Sequence, residues 1–365
     1  MFANKYLSKN NRFPLLKSEP DVDCGVIIVI PCFREPHILQ TLDSLTKCDL
    51  PNQKVEVIVL VNHSEVAPAE TKAYNINTTR EIESWIINEK NSKFKFYVIG
   101  PVELPRKWAG VGLARKSGMD EALHRFNLLG KQNGIIVSLD ADTLVAPNYL
   151  VEIENHFKNN RKDVGVTISF QHQTEGLEKK QLQGILLYEK YLLYYRNALG
   201  FIGYPNPMFT IGSAFAVTAS GYIKRGGMTR RQAGEDFYFL QTLAQVGNVG
   251  EITTTNVYPS ARLSDRIPFG TGPILAKWMK GETDLTQTYN FQAFEDLKCF
   301  FDLKEQLFQS DKSTYLKLIS TLPEPVSQFL LQDNFWKEIE DLNKNCSTIE
   351  SFKIRFFHKF NAFKF

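Results

Sequence analysis

Two short acidic motifs carry chemistry in this chain. Ser138-Leu139-Asp140-Ala141-Asp142 closes an apolar run, and Gly234-Glu235-Asp236 opens an amphipathic stretch about ninety residues later. If the first segment stays extended, the carboxylates of Asp140 and Asp142 point to one side. Such a pair can hold Mg²⁺ or Mn²⁺ against a diphosphate, because hard oxygen ligands suit hard cations. A solvated acidic loop is the other reading of an isolated Asp-x-Asp. Asp236 can act as a general base toward a hydroxyl. An Asp of ordinary pKa, roughly 3.9, is weak for that task, and serves when proton transfer is late and the carboxylate is partly desolvated. The alternative is that Glu235 and Asp236 only complement a helix dipole.

Glycines flank the second motif. Thr210-Ile211-Gly212-Ser213-Ala214-Phe215 and Gly226-Gly227-Met228 precede Gly234, and glycine lets a backbone approach a ligand closely. Arg230 and Arg231 add positive charge beside the carboxylates.

The elements that must position these motifs alternate. Gly25–Pro31 is a β-branched run fit for a strand buried on both faces. Val55–Val61, Phe94–Ile99 and Gly134–Leu139 are further strands. Helical patterns lie at 36–47, 79–88 and 110–129. Strand alternating with helix implies a parallel sheet with right-handed crossovers. Ligands in such sheets sit beyond the carboxyl ends of the strands, so Cys32–Glu35, Asn62–Ser64 and Asp140–Asp142 should converge. Later, Val164–Phe170, Phe209–Val217 and Ile252–Tyr258 are predicted as strands and Gln181–Leu199 as a long helix. From about Lys277 the pattern is helical. The expected domains are an N-terminal arm (1–20), a catalytic domain (21–276) and a helical extension (277–365).

Net charge of +3 gives no case for nucleic acid. Five scattered cysteines, none in a CxxC pair, disfavour a zinc knuckle or a disulfide framework and fit a reducing compartment. The first residues lack a signal-peptide core, and no run of eighteen apolar residues could span a bilayer. The expected location is cytoplasmic, with peripheral membrane contact open.

In order and spacing, Pro31-Cys32-Phe33-Arg34-Glu35 after a strand, Asp140-Ala141-Asp142, and Gly226-Gly227-Met228 followed by Gly234-Glu235-Asp236 resemble the family-2 glycosyltransferases of GT-A fold, bacterial-type and non-processive. The resemblance covers roughly Gly25 to Gly272. It implies an α/β, Rossmann-like mixed sheet with a C-terminal helical extension. It implies an inverting, metal-dependent transfer of a sugar from a UDP or GDP donor to an acceptor hydroxyl on a glycan or lipid-linked sugar, in cell-envelope glycan or glycolipid synthesis. Pro31, Phe33 and Glu35 would line the nucleotide pocket, and Lys107, Gly110 and Arg115 lie in the stretch that closes over it. Asp140 would lie by the ribose and metal, Asp142 would be the direct metal ligand, and Gly212 to Ala214 would form the acceptor-side floor. Asp236 would be the inverting base, with Glu235 beside it.

The chain departs from the family pattern in three places. Val61-Asn62-His63-Ser64 replaces the usual Asp-Asp-x-Ser, whose acid reads a uracil N–H. Asn62 accepts or donates, which leaves the base open. The Gln-x-x-Arg-Trp of processive synthases is absent; Arg262 through Gly272 stands there, which favours single transfers. No histidine lies between His172 and His358, which removes a late histidine metal ligand. His37, His63 and His124 are not at metal-ligand spacing and are read as structural or surface residues. Arg262 and Arg266 suit a leaving diphosphate through the guanidinium fork, or are surface arginines on an ordinary loop.

Two features stay open. Tyr188, Tyr191, Tyr194 and Tyr195 form a stripe that is core or an acceptor groove. The tail Ser351–Phe365, with six phenylalanines, four cations and no acid, is a membrane-surface helix or a docked terminal helix. Two other function classes compete. A nucleotidyltransferase of related fold would want a Gly-rich phosphate loop after the first strand, where this chain has Pro31–Glu35. A non-enzymatic carbohydrate- or partner-binding module would not need intact Asp142 and Asp236.

Overall fold

The computed structural model describes residues 1–9, 14–90, 93–264 and 270–364. The chain divides into two compact units: 1–185 with 210–283, and 186–209 with 284–365.

The strands of the first unit are β1 (Cys24–Cys32), β2 (Lys54–Ser64), β3 (Phe94–Leu104), β4 (Ile135–Ser138), β5 (Leu144–Val145), β6 (Asp163–Phe170), β7 (Phe215–Thr218) and β8 (Asn248–Tyr258). Among the described residues they form one eight-stranded sheet, ordered β3-β2-β1-β4-β7-β6-β8-β5. β3, β2, β1 and β4 run parallel, as the alternating pattern predicts. β7 pairs antiparallel with both β4 and β6, β8 runs parallel to β6, and β5 is antiparallel to β8. The result is the mixed sheet expected of the fold class. Every residue of β1 is buried, which is why its run is β-branched rather than alternating. Val26, Ile28, Ile30, Val57, Val59, Val137, Val166 and Ala216 share one core.

The helices of this unit are α1 (Asn4–Leu7), α2 (Ile38–Thr46), α3 (Ala69–Asn88), α4 (Val111–Leu128), α5 (Tyr149–Asn159), the start of α6 (Lys179–Phe201), α7 (Ala219–Ile223), α8 (Glu235–Ala244) and α9 (Thr271–Lys280). The predicted helix at 79–88 begins ten residues earlier, because its inward face is polar: Thr71, Asn75, Thr78 and Thr79 are buried. α4 is similar. Arg115, Lys116, Asp120, Glu121, Arg125 and Asn127 are all buried on it. The predicted strand 209–217 shortens to β7, since Ala214 N–H donates to Ile211 O at 3.0 Å and closes a turn over Gly212.

The first twenty residues are not a loose arm where they are described. Ala3 N–H donates to Asn127 Oδ1 at 2.9 Å, Tyr6 Oη to Asp120 at 2.7 Å, and Leu15 N–H to Glu121 at 2.7 Å. Arg125 donates to Ser18 O at 2.8 Å and pairs with Glu56. The segment is fastened along α4.

In the second unit, the remainder of α6 is joined by α10 (Phe291–Asp302), α11 (Lys312–Ile319), α12 (Glu324–Gln332), α13 (Trp336–Asn345) and α14 (Ile349–Lys359). Phe294, Phe300, Phe301, Leu330, Phe335, Ile339, Phe352, Phe356 and Phe360 form its core. The tail is therefore docked. Its cations are engaged as well: Lys353 with Glu305, Lys359 with Glu338 and Asp341, Lys364 with Asp333, and Arg355 with Asn345 O. Of the tyrosine stripe, Tyr194 and Tyr195 pack edge-on to Phe294, with Tyr194 Oη donating to Tyr289 O at 2.8 Å, while Tyr188 and Tyr191 are half-buried and stack on one another. No described helix is long and apolar enough to cross a membrane.

Candidate active site

The strand order reverses between β1 and β4, and three polar clusters meet beyond the strand ends there. β1 leads into Phe33, Arg34 and Glu35. Arg34 takes a left-handed φ of 48°, a cost tolerated where surroundings over-determine the backbone. The restraint is Asn75 on α3, whose Oδ1 accepts Arg34 N–H at 3.1 Å while its Nδ2 donates to Asn62 O at 2.8 Å. Asn62 is buried and donates its own Nδ2 to Cys32 O at 3.1 Å. The ends of β1 and β2 are thus locked together. Asn75 was not a sequence candidate; its only signal is an asparagine within a helix that has little apolar periodicity.

Glu35 is only 3% exposed. Its Oε1 accepts His37 N–H at 3.2 Å and Arg262 Nη1 at 2.7 Å, and its Oε2 accepts Arg262 Nη2. The same Nη2 lies 2.9 Å from Asp142 Oδ2. Burial raises the Glu35 pKa against the pull of Arg262. Arg262 therefore bridges the end of β1 and the Asp-Ala-Asp motif.

The Asp-Ala-Asp segment is not extended. Thr143 N–H donates to Asp140 O at 3.1 Å, a turn that replaces the strand continuation. The two carboxylates consequently take different cationic partners. Asp142 pairs with Arg262, and Asp140 Oδ1 accepts Arg115 Nη2 at 2.8 Å. Burial and then the Asp140 charge push Asp142 up to about 7, with Arg262 opposing. Among the described residues no three His, Cys, Asp or Glu side chains form a ready-made metal cage. The carboxylates of Asp140 and Asp142 still fit Mg²⁺ or Mn²⁺, which are commonly held by one or two carboxylates and completed by phosphate oxygens and water. Burial is the larger cause of the Asp142 shift, and the Asp140 charge that adds to it is what a cation would relieve.

Arg115, 2% exposed, is turned inward. Nε donates to Glu235 Oε1 at 3.0 Å, and Nη1 to Ser138 Oγ at 2.6 Å and Gly212 O at 3.0 Å. Burial opposes its charge, but Asp140 and Glu235 outweigh burial and its pKa is raised. Gly212 has to be glycine here: a Cβ would lie 2.6 Å from Arg115 Nη2 and 3.4 Å from Asp236 Oδ2. Ser213 is fully buried, with an Oγ that no described group bonds.

Gly234 caps α8 with φ 71°, a left-handed turn that suits glycine. Glu235 points into the protein toward Arg115, whereas Asp236 is partly exposed. Asp236 Oδ1 accepts Phe237 N–H at 2.7 Å. Burial and then the Glu235 charge push Asp236 up to about 7, with Arg115 opposing. A carboxylate with that basicity is a competent general base near neutral pH.

Other sequence candidates fall at the edges. Pro31 is buried within β1, and Phe33 is exposed beyond its end. Lys107 is exposed, 4.8 Å over the Trp108 ring, and its carbonyl accepts Gln232 Nε2 at 3.4 Å. Arg266 lies outside the described residues.

The family model described as Glycosyl transferase family 2 matches residues 27–225. No curated sequence matches the chain. Among solved structures it is similar to S. aureus TarS 1-349 in complex with UDP-GlcNAc, at 12% identity over 92% of this chain and 91% of that one, with a TM-score of 0.47. It is likewise similar to the mannosyltransferase PcManGT from Pyrobaculum calidifontis in complex with GDP-Man and Mn²⁺, at 15% identity over 97% and 92%, with a TM-score of 0.44. The matched family span exceeds half of the chain and runs from within β1 past α7, so the chain belongs to glycosyl transferase family 2 and is a glycosyltransferase of GT-A fold.

Proposed function

We propose that this glycosyltransferase inverts configuration in a single, divalent-metal-assisted displacement. The observation that carries the reading is the Asp236 carboxylate, partly exposed, beside Gly212 and raised to about 7. Asp236 takes the proton from an acceptor hydroxyl as its oxygen bonds to the anomeric carbon. The bond from that carbon to the nucleoside diphosphate breaks on the opposite face. Glu235 is the neighbour of Asp236 at the head of α8, and after burial its carboxylate is the next largest influence raising the Asp236 pKa, which strengthens it as a base.

On the donor side, Phe33, Asn62 and Lys107 line the nucleotide end, with Glu35 and Asp140 toward the ribose. Asp142, with Asp140, would hold Mg²⁺ or Mn²⁺. A bound divalent cation supplies neutralisation of the charge that the departing diphosphate develops. Arg262 is placed to exchange a carboxylate partner for a phosphate, which suits its fork. Holding both substrates in attack geometry supplies much of the acceleration. The donor is a UDP or GDP sugar, and the acceptor a hydroxyl of a glycan or lipid-linked sugar in cell-envelope synthesis. The docked tail gives no support to membrane contact through 351–365.

The test is a thermal-shift panel of UDP, GDP, CDP, dTDP and their common sugars, with and without Mn²⁺, on wild type and Asp142→Ala. A ligand at about 100 times its Kd adds roughly 2.7 kcal/mol of stability. A metal-dependent shift with UDP or GDP, lost in the variant, supports the reading. No shift with any nucleotide overturns it.

A further inference from the structure

Arg115 lies in the stretch that the family resemblance assigns to nucleotide closure, yet its four hydrogen bonds all end on protein. They reach the end of β4 (Ser138), the Asp-Ala-Asp turn (Asp140), the Gly212 turn and the head of α8 (Glu235). A guanidinium has five N–H groups in a fixed plane, so four are committed in set directions. Ser138 Oγ completes the knot by donating to Gly212 O at 2.7 Å. At 2% exposure, Arg115 has no surface to offer a diphosphate unless the backbone moves. The segments it ties are 23, 25, 97 and 120 residues away in sequence.

We propose that Arg115 is a positioning residue of the transfer: it sets the Gly212 turn, the metal-side Asp140 and the head of α8 in the mutual register that aims Asp236 at the acceptor, without contacting the donor. The proposal rests on Asp236 being the base. Lysine cannot substitute, since one ammonium cannot reach four partners in a plane. The glycine at 212 follows from the same arrangement, because the Arg115 guanidinium, held by its four hydrogen bonds, fills the space a side chain would need.

The experiment compares wild type, Arg115→Lys, Ser138→Ala and Asp236→Asn. Ser138 is fully buried and bonded to both Arg115 and Gly212, so its variant loosens the knot even if Arg115→Lys folds poorly. The readouts are kcat and KM for whichever UDP or GDP sugar wild type turns over, Kd for the matching nucleotide with Mn²⁺, and amide hydrogen exchange. The expected result is kcat lower by about 10²-fold in Arg115→Lys and about tenfold in Ser138→Ala, the scale of a small misplacement. Nucleotide Kd stays within about threefold of wild type, which is well under one decade of affinity. Exchange quickens at 212–214 and 234–238. Wild-type kcat in both variants, or a nucleotide Kd weakened about tenfold or more with kcat preserved at saturation, overturns the proposal and makes Arg115 structural or donor-binding. Full activity of Asp236→Asn would instead remove the base assignment, and unchanged exchange at 234–238 in Ser138→Ala would separately remove the tie.

Discussion

Arg262 lies 2.9 Å from Asp142, through the same nitrogen that grips Glu35 across 227 residues of chain. One guanidinium thus balances two carboxylates that would otherwise repel.

Removing that guanidinium should cost stability. Glu35 is deeply buried while Arg262 is partly exposed, so Arg262→Ala falls between the ~1 kcal/mol of an exposed pair and the ~3–5 kcal/mol of a fully buried one. The double variant with Glu35→Gln should lose less than the sum of the singles, measured by denaturant unfolding. Strict additivity would show that the pair does not couple.

Asp236 must be deprotonated to act as a base. With its carboxyl pushed up to about 7, turnover should fall as pH drops through that value, by about tenfold per unit below it. Asp236→Asn should lose on the order of 10²–10⁴-fold in kcat. A rate profile flat from pH 5 to 8 would argue against this base.

The same residue makes a stability prediction of definite sign. In the unfolded chain Asp236 has a pKa of roughly 3.9, so between about pH 4 and 7 the folded chain holds the extra proton. Stability from this group therefore falls as pH rises through that window, and is lowest above it. Asp236→Asn should raise Tm at pH 8 and leave it unchanged at pH 4, with roughly 2–4 °C for each kcal/mol relieved. An equal Tm difference at both pH values would contradict the folded-state shift.

Gly212→Ala places a methyl against the Arg115 guanidinium and near Asp236. We expect kcat down about 10²-fold with the far-ultraviolet circular dichroism unchanged. Wild-type kinetics would mean that the turn relaxes freely.

Phe356 is fully buried in the core of the second unit. Phe356→Ala should destabilise that unit by about 3–5 kcal/mol, read as protease susceptibility within 284–364. A tail held there only weakly would leave the susceptibility as in wild type.

Much of this was legible in the sequence. The β-branched run before Cys32 marked a central strand, and Asp140-Ala141-Asp142 and Glu235-Asp236 were found by residue type. The Asp-Ala-Asp turn was missed because one backbone hydrogen bond, from Thr143 to Asp140, decides it. The role of Arg262 as a bridge was invisible, since its partners lie more than a hundred residues away and no local period records them. The first half of α3 and the inner face of α4 were hard to read for a common reason. Charged and polar side chains normally mark a solvent face, and here they are turned inward.

The fastening of the first residues along α4 limits how the enzyme can be divided. The family match begins at residue 27, but Asp120, Glu121, Arg125 and Asn127 take partners from Tyr6, Leu15, Ser18 and Ala3. A chimera spliced at the family boundary would leave four buried polar groups short of partners on the helix that carries Arg115. Such a hybrid would inherit every motif and lose the scaffold that aligns them, so a portable catalytic cassette from this protein has to begin at its first residues.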